Sequence, residues 1–409
     1  MNSVRILTPD ALIEQVRAKL QTEPYKSGWH DYRVAPDPTN PAAYALIVGA
    51  GFSHGVVPLV RELMHETIGG YYIPDQDQPS MERPASVLRE HSADFWAEFN
   101  QTATQKGLAV VPVDGRGLPE DPGAAYQHLF TYQGANALFA LTEPNEQRLS
   151  FVEQQQQGRA AKSADQERRG PQDTGERFMK GFLRYVMDVG SEAGYGSAGR
   201  TDLNPAHVYL AALLEAQQTG LGWNIRAFCR TILTTNFDTL LQNSLQMVNL
   251  LYTITDRPEK GLDRSEFAED ETVVHLVCTH GSILRHNPAS TITELGRLSE
   301  QNVGVLRDYL ESRDIITIGY SGWNDGLMAA LRLCNPDRHH VYCCDVRPDP
   351  PPNIAEFLRE HADHAAYVPL GPEGADDLLR SLYQALVSKE AHRHPMQRYR
   401  QWNALRWNR

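Results

Sequence analysis

The sequence predicts an α/β protein whose mostly parallel sheet is covered by helices on both faces. Several short apolar runs lack alternating polar residues, as expected of strands buried on both faces of a parallel sheet. Helical patterns separate the later runs, and strands that alternate with helices are typical of such a sheet. The predicted strands lie at 44–52, 230–233, 249–255, 272–278, 314–320 and 339–346, and the helices near 10–20, 303–312, 324–334, 353–363 and 373–388.

The first apolar run, at 44–52, continues into a glycine turn and an apolar-periodic helix. Strand, tight glycine turn and helix form the first half of a nucleotide-binding unit, so we expect the sheet to be Rossmann-like. The middle of the chain has mainly helical patterns instead, including one over 204–217 with Asn204 as its N-cap and Pro205 at its first position. We therefore predict a mainly helical subdomain inserted into the sheet domain.

The predicted organisation has four parts. They are an N-terminal helix and linker at 1–43, a Rossmann-like domain at 44–69 and 226–388, the inserted helical subdomain at 70–225, and a basic, aromatic tail at 389–409.

Composition excludes some classes of function. The 409 residues include 39 lysines and arginines against 51 acids, a net charge of −12, whereas a duplex-DNA binder needs a basic face. The longest apolar run is far shorter than the roughly 20 residues of a membrane span. Five cysteines are too few, and odd in number, for a secreted disulfide scaffold. We expect a cytoplasmic protein without membrane contact.

Four polar segments follow predicted strands, and open α/β sheets bind ligands at the carboxyl ends of their strands. In the first segment, Gly49 and Gly51 allow the chain to approach a pyrophosphate without Cβ clashes, unless they form only an ordinary strand–helix turn. No strand with a terminal acid follows about 20 residues later, which disfavours the common dehydrogenase form of the fold. The segments are GAGFS (49–53), TTNFD (234–238), THGS (279–282) and GYSGWND (319–325).

Asn236 stands in the second segment, directly after an apolar strand. Polar groups there are costly in a core unless they line a wet pocket. The Asn236 amide can donate and accept, which suits a carboxamide or a ribose with its attacking water. Alternatively, Thr234 and Asp238 cap the following helix.

His280 in the third segment stands just past a strand, where a histidine can take up a proton near neutral pH. His275 lies inside the same strand, and we expect it to be a packed core residue.

The fourth segment combines the hydroxyl of Ser321, the aromatic face of Trp323 and the polar Asn324 and Asp325, a set that suits a sugar and a purine ring. Its alternative is a glycine turn in which Asn324 or Asp325 caps the next helix. Asp345, at the end of a later strand, suits the ribose hydroxyls of an adenosine half or a cap on the turn that follows.

In this order, the four segments resemble the sirtuin superfamily, specifically its bacterial sirtuin-like branch of antiphage defence. The resemblance covers about 45–60 and 230–346. Protein deacylases of the superfamily carry two CxxC pairs that bind a structural zinc, and this chain has none. The GIPDFR stretch of those enzymes is replaced by GVVPLVREL, and TQNID appears as TTNFD. The resemblance therefore implies NAD as a substrate and no zinc, and it disfavours a deacylase.

The resemblance also implies roles for individual residues in a reaction whose transition state resembles an oxocarbenium ion. Asn236 would position the nicotinamide ribose and the attacking water. His280 would be a general base acting on a ribose hydroxyl or on that water, and Asp238 would support the loop or the developing charge. The expected NAD-binding residues are Gly49, Ala50, Gly51, Phe52, Ser53, Thr235, Gly319, Ser321, Trp323, Asn324 and Asp345.

The activity implied is NAD hydrolysis to nicotinamide and ADP-ribose by a gated NAD-depleting effector in bacterial antiphage defence (abortive infection). Gating would come from oligomerisation or from a HerA-type hexameric ATPase partner. The alternatives are an NAD- or ADP-ribose-binding assembly subunit of a complex with such an ATPase, and a DNA-processing subunit.

The tail at 389–409 holds six basic residues against one acid, interleaved with Tyr399, Trp402 and Trp407. Such residues suit single-stranded nucleic acid, by stacking and charge. They equally suit docking onto a neighbouring subunit, because tryptophan, tyrosine and arginine dominate interface anchors. We favour the second interpretation and expect a homo-oligomer, because the rest of the chain is acidic.

Overall fold

A computed structural model gives the fold, and it divides the chain into two compact units. The first unit comprises Met1–Val56, Thr201–Pro288 and Gly296–Arg409, and the second comprises Val57–Arg200 and Ala289–Leu295. The structure describes residues 4–22, 42–53, 56, 96–97, 100–101, 104, 110–117, 120, 203–220, 226–256, 260–263, 273–281, 292–310, 313–322, 325–334, 339–387, 389 and 394–407.

Seven parallel strands form one sheet, and the predicted Rossmann-like α/β fold is thereby confirmed. The strand order is β3-β4-β2-β1-β5-β6-β7. The strands are β1 (Tyr44–Val48), β2 (Cys229–Thr234), β3 (Tyr252–Thr255), β4 (Val274–Cys278), β5 (Asp314–Ile318), β6 (Val341–Asp345) and β7 (Ala365–Pro369).

The strand order places the change of winding direction beside β1. The chain proceeds from β1 to β2, β3 and β4 on one side, then crosses to β5, β6 and β7 on the other. In open α/β sheets, ligands bind at the carboxyl ends of the strands where the order reverses. The loops after β1, β2 and β5 therefore meet where a ligand is expected.

The six strands predicted from apolar runs are all present; five are shorter than predicted, and β2 is one residue longer at each end. The seventh, β7, was not predicted, because its AAYVP sequence is short and two of its five residues are alanine. Its outer edge pairs with residues near the N-terminus, where the Leu7 amide donates to the Tyr367 carbonyl (2.9 Å) and the Tyr367 amide donates to the Arg5 carbonyl (2.8 Å). This edge of the sheet is therefore covered by the chain itself.

Eight helices are described. The first helix and the Asn204 cap are as predicted, since the Asn204 side chain accepts from the His207 amide. The fourth is longer than predicted and begins among residues of the second unit. The helices are α1 (Pro9–Thr22), α2 (Pro205–Thr219), α3 (Leu240–Met247), α4 (Ile292–Leu310), α5 (Gly326–Leu333), α6 (Pro352–Glu360), α7 (Ala375–Leu386) and α8 (Pro395–Trp407).

Helix α2 belongs to the first unit, where it packs against α7, α3 and α8. The boundary expected at 225 therefore differs from this division, in which the sheet unit resumes at Thr201. The physical reason is the apolar surface of α2, whose alanines and leucines are almost all buried. The helical patterns predicted between 70 and 200 lie outside the described residues, apart from short stretches.

The basic, aromatic tail contains α8, a helix that the sequence analysis did not predict. Arg398 forms an ion pair with Glu215 of α2 (2.6 Å), and Tyr399 is buried. Two residues expected to contact nucleic acid or another subunit are therefore engaged within the chain. Arg400 and Leu405 remain exposed on α8.

The core lies between the sheet and its helices. Ile47, Leu233 and Ile315, on β1, β2 and β5, are fully buried within it. Among the helices that the structure describes, none combines the length and the apolar character that crossing a membrane requires.

Candidate active site

Asn236 and His280 occupy matched positions at the carboxyl edge of two neighbouring strands. Thr234 of β2 pairs with Cys278 of β4, and each candidate residue lies two positions beyond its member of that pair. The two chains stay together past the strands, because the Thr279 amide and hydroxyl both donate to the Thr234 carbonyl (2.9 and 3.0 Å). Both side chains are buried, Asn236 being 7% exposed and His280 8%.

A hydrogen-bonded network joins Asn236 to residues from two of the predicted segments. The Asn236 Nδ2 group donates to Ser53 Oγ (3.1 Å), and Ser53 Oγ donates to Asp238 Oδ2 (2.9 Å). Asp238 Oδ1 accepts from the Leu240 amide at the start of α3 (3.0 Å). The structure therefore brings together Ser53, Asn236 and Asp238, three residues singled out from the sequence, and Asp238 also caps α3.

This network sets the orientation of the Asn236 amide. A hydroxyl has one proton, and Ser53 gives its proton to Asp238, so Ser53 accepts from the amide nitrogen. The amide oxygen Oδ1 therefore points elsewhere. It is buried and has no hydrogen-bond partner among the described residues. An unpaired buried acceptor costs about 1–3 kcal/mol, so this oxygen is suited to a donor supplied by a ligand or by water.

Burial raises the pKa of the Asp238 carboxyl, while hydrogen bonds from the Leu240 amide, Ser53 and Asn236 oppose that rise. The charge of this carboxylate therefore depends on those bonds rather than on solvent. Thr234 does not cap α3, because its Oγ1 accepts from the Asn236 amide (3.0 Å) and fixes the backbone there.

A second network holds His280. Its Nε2 lies 3.1 Å from Asp325 Oδ2, and Asp325 Oδ1 accepts from the Tyr320 hydroxyl (2.7 Å) and from the Met328 amide (2.9 Å). Asp325 is thus the N-cap of α5, one of the two alternatives considered, and it also orients the histidine. This second role of Asp325 was not predicted from the sequence.

The carboxylate also determines which ring nitrogen of His280 carries the proton. Asp325 accepts at both oxygens, so the Nε2 position of His280 is the donor and Nδ1 is left as an acceptor. No described residue forms a hydrogen bond with Nδ1. A histidine held in this way can take up a proton at Nδ1.

Phe237 connects the two networks. It lies between Asn236 and Asp238 in the sequence, and the centroid of its ring is 6.5 Å from that of the His280 ring. The half-buried ring provides an apolar surface beside the imidazole.

The glycines of the first segment are required by the protein's own backbone. A Cβ atom on Gly49 would lie 2.5 Å from the Gly319 carbonyl oxygen, and one on Gly319 would lie 2.6 Å from the Gly51 Cα. Gly319 also has φ +63°, a left-handed conformation that favours glycine. The loops after β1 and β5 therefore pack directly on each other.

Two backbone amides of the first segment, whose residues are predicted to bind NAD, are bonded within the protein. The Gly51 amide donates to the Gly319 carbonyl (3.1 Å), and the Phe52 amide donates to the Gly49 carbonyl (2.9 Å). Ala50 is exposed at the turn, and the helix expected after it lies outside the described residues. The close approach predicted for these glycines is therefore made to another loop of the protein.

The remaining predicted contacts are only partly described. Thr235 is partly exposed, and its amide donates to the Val48 carbonyl (3.2 Å). Ser321, in the fourth segment, is partly exposed. Trp323 and Asn324 lie outside the described residues.

Asp345 caps the turn that follows β6. Its Oδ1 accepts from the Arg347 amide and Nε (both 3.0 Å), and its Oδ2 accepts from an Arg347 guanidinium nitrogen (2.6 Å). These bonds raise the pKa of the Arg347 guanidinium. The turn alternative describes what Asp345 does here, and both of its oxygens already have donors.

The cysteines do not form a centre of reactivity. All five are free and buried, and burial raises the pKa of the Cys278 and Cys343 thiols to about 12. Such thiols stay protonated at neutral pH and are poor nucleophiles. Within the described part of the chain, no cluster of three or more histidine, cysteine or acidic side chains could hold a metal ion.

The fold and its polar edge define the class of this chain as a Rossmann-like α/β protein with a buried amide and an aspartate-held imidazole on adjacent strands. No protein-family model and no curated protein matches its sequence. What this site can do therefore has to follow from its residues and their geometry.

Proposed function

We propose that this protein hydrolyses NAD at the bond between nicotinamide and ribose, giving nicotinamide and ADP-ribose. The observation that supports this most is the buried Asn236 amide oxygen, which has no donor among the residues that the structure describes. It lies at the same sheet edge as His280, whose orientation is set by Asp325. A hydroxyl-rich substrate supplies the missing donor, and the histidine supplies the base.

In the proposed reaction, the bond from the ribose anomeric carbon to nicotinamide breaks, and its electron pair goes to the ring nitrogen of nicotinamide. Positive charge develops on the sugar, and a water oxygen bonds to the same carbon. Asn236 Oδ1 accepts a hydrogen bond from a ribose hydroxyl or from the water. His280 Nδ1 takes the proton, directly from the water or through a ribose hydroxyl.

The neighbouring carboxylates fit this scheme. Asp325 stabilises the imidazolium that forms when His280 takes up a proton, because its Oδ2 faces Nε2 at 3.1 Å. Asp238 holds Ser53 and so maintains the Asn236 orientation that leaves Oδ1 free. Its negative charge also complements the positive charge that develops on the sugar.

The biological role proposed is that of a gated effector that depletes NAD in antiphage defence. Uncontrolled loss of NAD is toxic, so such an activity needs a trigger. The resemblance to the sirtuin-like branch supports oligomerisation or a HerA-type hexameric ATPase as the gate. The acidic charge of −12 is compatible with docking of a basic partner surface.

The test compares two histidines of the same chain segment. Purified protein is incubated with NAD, alone and with a HerA-type ATPase, and nicotinamide and ADP-ribose are measured. His280→Gln should lower turnover by about 10²–10⁴-fold, the usual contribution of a general base. His275→Gln is the matched control, because His275 lies in β4, is equally buried and contacts Thr253 Oγ1 (2.8 Å) on the edge strand.

Asn236→Ala should also abolish turnover while the protein stays folded. Equal rates for the wild type and both site variants would reject the proposed site. Intact NAD in every incubation, together with ADP-ribose binding that depends on Asn236, would instead favour the alternative of a binding subunit without turnover.

A further inference from the structure

The Asn204 side chain forms two hydrogen bonds within the first unit, one to α2 and one to the turn after β1. As the N-cap of α2, its Oδ1 accepts from the His207 amide (3.1 Å). Its Nδ2 group donates to the Phe52 carbonyl (2.7 Å), which belongs to the turn after β1. Asn204 therefore ties the start of α2 to the residue immediately before Ser53.

The C-terminal helix α8 forms a hydrogen bond with the residue that precedes this cap. The Leu203 amide, one residue before the cap, donates to the Tyr399 hydroxyl (3.0 Å) of α8. Tyr399 is only 8% exposed. Arg398 adds an ion pair with Glu215, near the other end of α2. Helix α8 thus fixes α2 along its length.

We propose that Asn204, held by Tyr399, is a positioning residue of the site formed by Ser53, Asn236 and Asp238. Its amide fixes the Phe52 carbonyl, and Ser53 is the next residue in the chain. Ser53 is 1% exposed and is the group that orients the Asn236 amide. The inference rests on the proposed function for its catalytic consequence, and on the hydrogen bonds alone for its structural one.

Packing makes this connection stiff. The Phe52 ring is fully buried and meets the His207 ring edge-on, with 4.7 Å between centroids. His207 lies in the first turn of α2, so the turn after β1 and the start of α2 share both a hydrogen bond and a ring contact. A shift of α2 therefore moves Ser53.

The choice of asparagine at 204 separates this role from ordinary capping. A cap needs only an acceptor, and aspartate caps about as well as asparagine. The bond to the Phe52 carbonyl needs a donor, which aspartate at neutral pH lacks. Asn204→Asp therefore keeps the cap and removes the hydrogen bond to the Phe52 carbonyl.

The experiment compares Asn204→Asp and Tyr399→Phe with Thr8→Ala, a control that removes the exposed cap of α1, where Thr8 Oγ1 accepts from the Ala11 amide (3.2 Å). Hydrogen exchange of the amides of Gly51 and Phe52 is measured together with NAD kinetics. We expect Asn204→Asp to speed this exchange about 10-fold or more and to lower kcat by roughly 10–100-fold, because small misplacements of reacting groups have large effects. Tyr399→Phe should change both in the same direction by less, and Thr8→Ala should change neither.

The two proposals fail in different ways. If Asn204→Asp leaves exchange at Gly51 and Phe52 unchanged, or if Thr8→Ala changes it equally, Asn204 is only a helix cap and the present inference is wrong. If the wild type does not consume NAD, the proposed function fails, and the exchange experiment still decides the structural role of Asn204. Faster exchange with unchanged kcat would overturn the positioning role.

Discussion

A buried aspartate is fully paired at the amino edge of the sheet, where the parallel strands begin, whereas two buried side chains are only partly paired at the carboxyl edge, where they end. At the amino edge, Asp314 begins β5, and its carboxylate is fully engaged. Its Oδ2 lies 2.6 Å from the Lys19 ammonium of α1, and its Oδ1 accepts from the His340 amide (2.9 Å). Lys19 also lies over the Tyr44 ring, 5.3 Å from its centroid. These charges attach α1 to the sheet.

At the carboxyl edge, equally buried groups are left with unused capacity. Asn236 Oδ1 has no partner among the described residues, and His280 is bound at Nε2 only. An unpaired buried polar group lowers stability, and such groups persist where function requires them. Burial alone does not mark a site, and Gln242 Oε1 on α3 is also a buried acceptor without a partner among the described residues. What distinguishes the carboxyl edge is such an acceptor together with a candidate base on the neighbouring strand.

The strongest test of this comparison replaces one aspartate at each edge by asparagine. Asp325→Asn should lower NAD turnover roughly 10³-fold, because an amide nitrogen facing His280 donates to Nε2 and moves the ring proton to Nδ1, the proposed base. The unfolding free energy should change by less than about 1 kcal/mol, because asparagine still caps α5. Turnover and urea unfolding measure the two effects.

Asp314→Asn should give the reverse pattern. We expect a loss of about 2 kcal/mol in the free energy of unfolding, less than for a fully buried pair because the Lys19 side chain is 35% exposed. Turnover per folded molecule should stay at the wild-type level. If Asp314→Asn impairs catalysis as much as Asp325→Asn does, the functional distinction between the two edges does not hold.

Smaller effects on the free energy of unfolding are expected when two buried asparagines are replaced by leucine. Asn236→Leu should change the unfolding free energy by less than about 1 kcal/mol while turnover is lost, because removing the unpaired acceptor offsets the loss of the bond from Nδ2 to Ser53. Asn302→Leu should lower it by about 1–3 kcal/mol, because Asn302 Oδ1 accepts from the Leu262 amide (2.7 Å) and that amide would lose its partner. Denaturant unfolding measures both values, and an equal loss of stability in the two variants would contradict the difference proposed between the two amide oxygens.

The smallest expected effect concerns His207, behind the turn after β1. Burial lowers the pKa of His207 to about 3, so between about pH 3 and pH 6.5 the unfolded chain binds a proton that the folded chain does not. Stability from this residue is complete above that window and decreases as the pH falls. From pH 7 to pH 6 the wild type should lose about 0.7 kcal/mol more than His207→Phe.

The contribution of His207 is isolated by measuring, for each protein, the change in the free energy of unfolding between the two pH values. Any contribution from Asp238 has the opposite sign, because burial raises its pKa and a raised pKa stabilises the folded chain more as the pH falls. That contribution is common to the wild type and the variant. Equal pH dependence in both would show that folding does not lower the pKa of His207.

Most of the sheet could be predicted from the sequence because each strand is buried on both faces and reads as an uninterrupted apolar run. Strand β7 was missed because two alanines and a proline in five residues carry little strand signal. Helix α8 was missed because its apolar and charged residues do not follow one face, and tertiary contacts of Arg398 and Tyr399 stabilise it. Helix α4 was predicted too short, since Gly296 and Gly304 weaken its pattern.

For the candidate site, the positions were predictable and the partners were not. Asn236, Asp238, Ser53 and His280 all follow strands, and the parallel sheet brings such residues to one edge. Their partners come from distant parts of the chain, 45 positions from His280 to Asp325 and 185 from Ser53 to Asp238. The reason for the glycines also needed three dimensions, because the surface that Gly49 approaches is Gly319.

The hydrogen bond from Asn204 to Phe52 has a consequence for how this chain is assembled. The chain leaves the first unit after Val56 and re-enters it at Thr201, and this bond (2.7 Å) joins Phe52 and Asn204, which lie four and three residues inside those borders. A segment inserted between two chain positions that are already close together does not distort the unit that holds them, and the entropic cost of closing the inserted loop rises only slowly with its length. The sheet unit can therefore accommodate insertions of very different length at this junction and keep its own architecture.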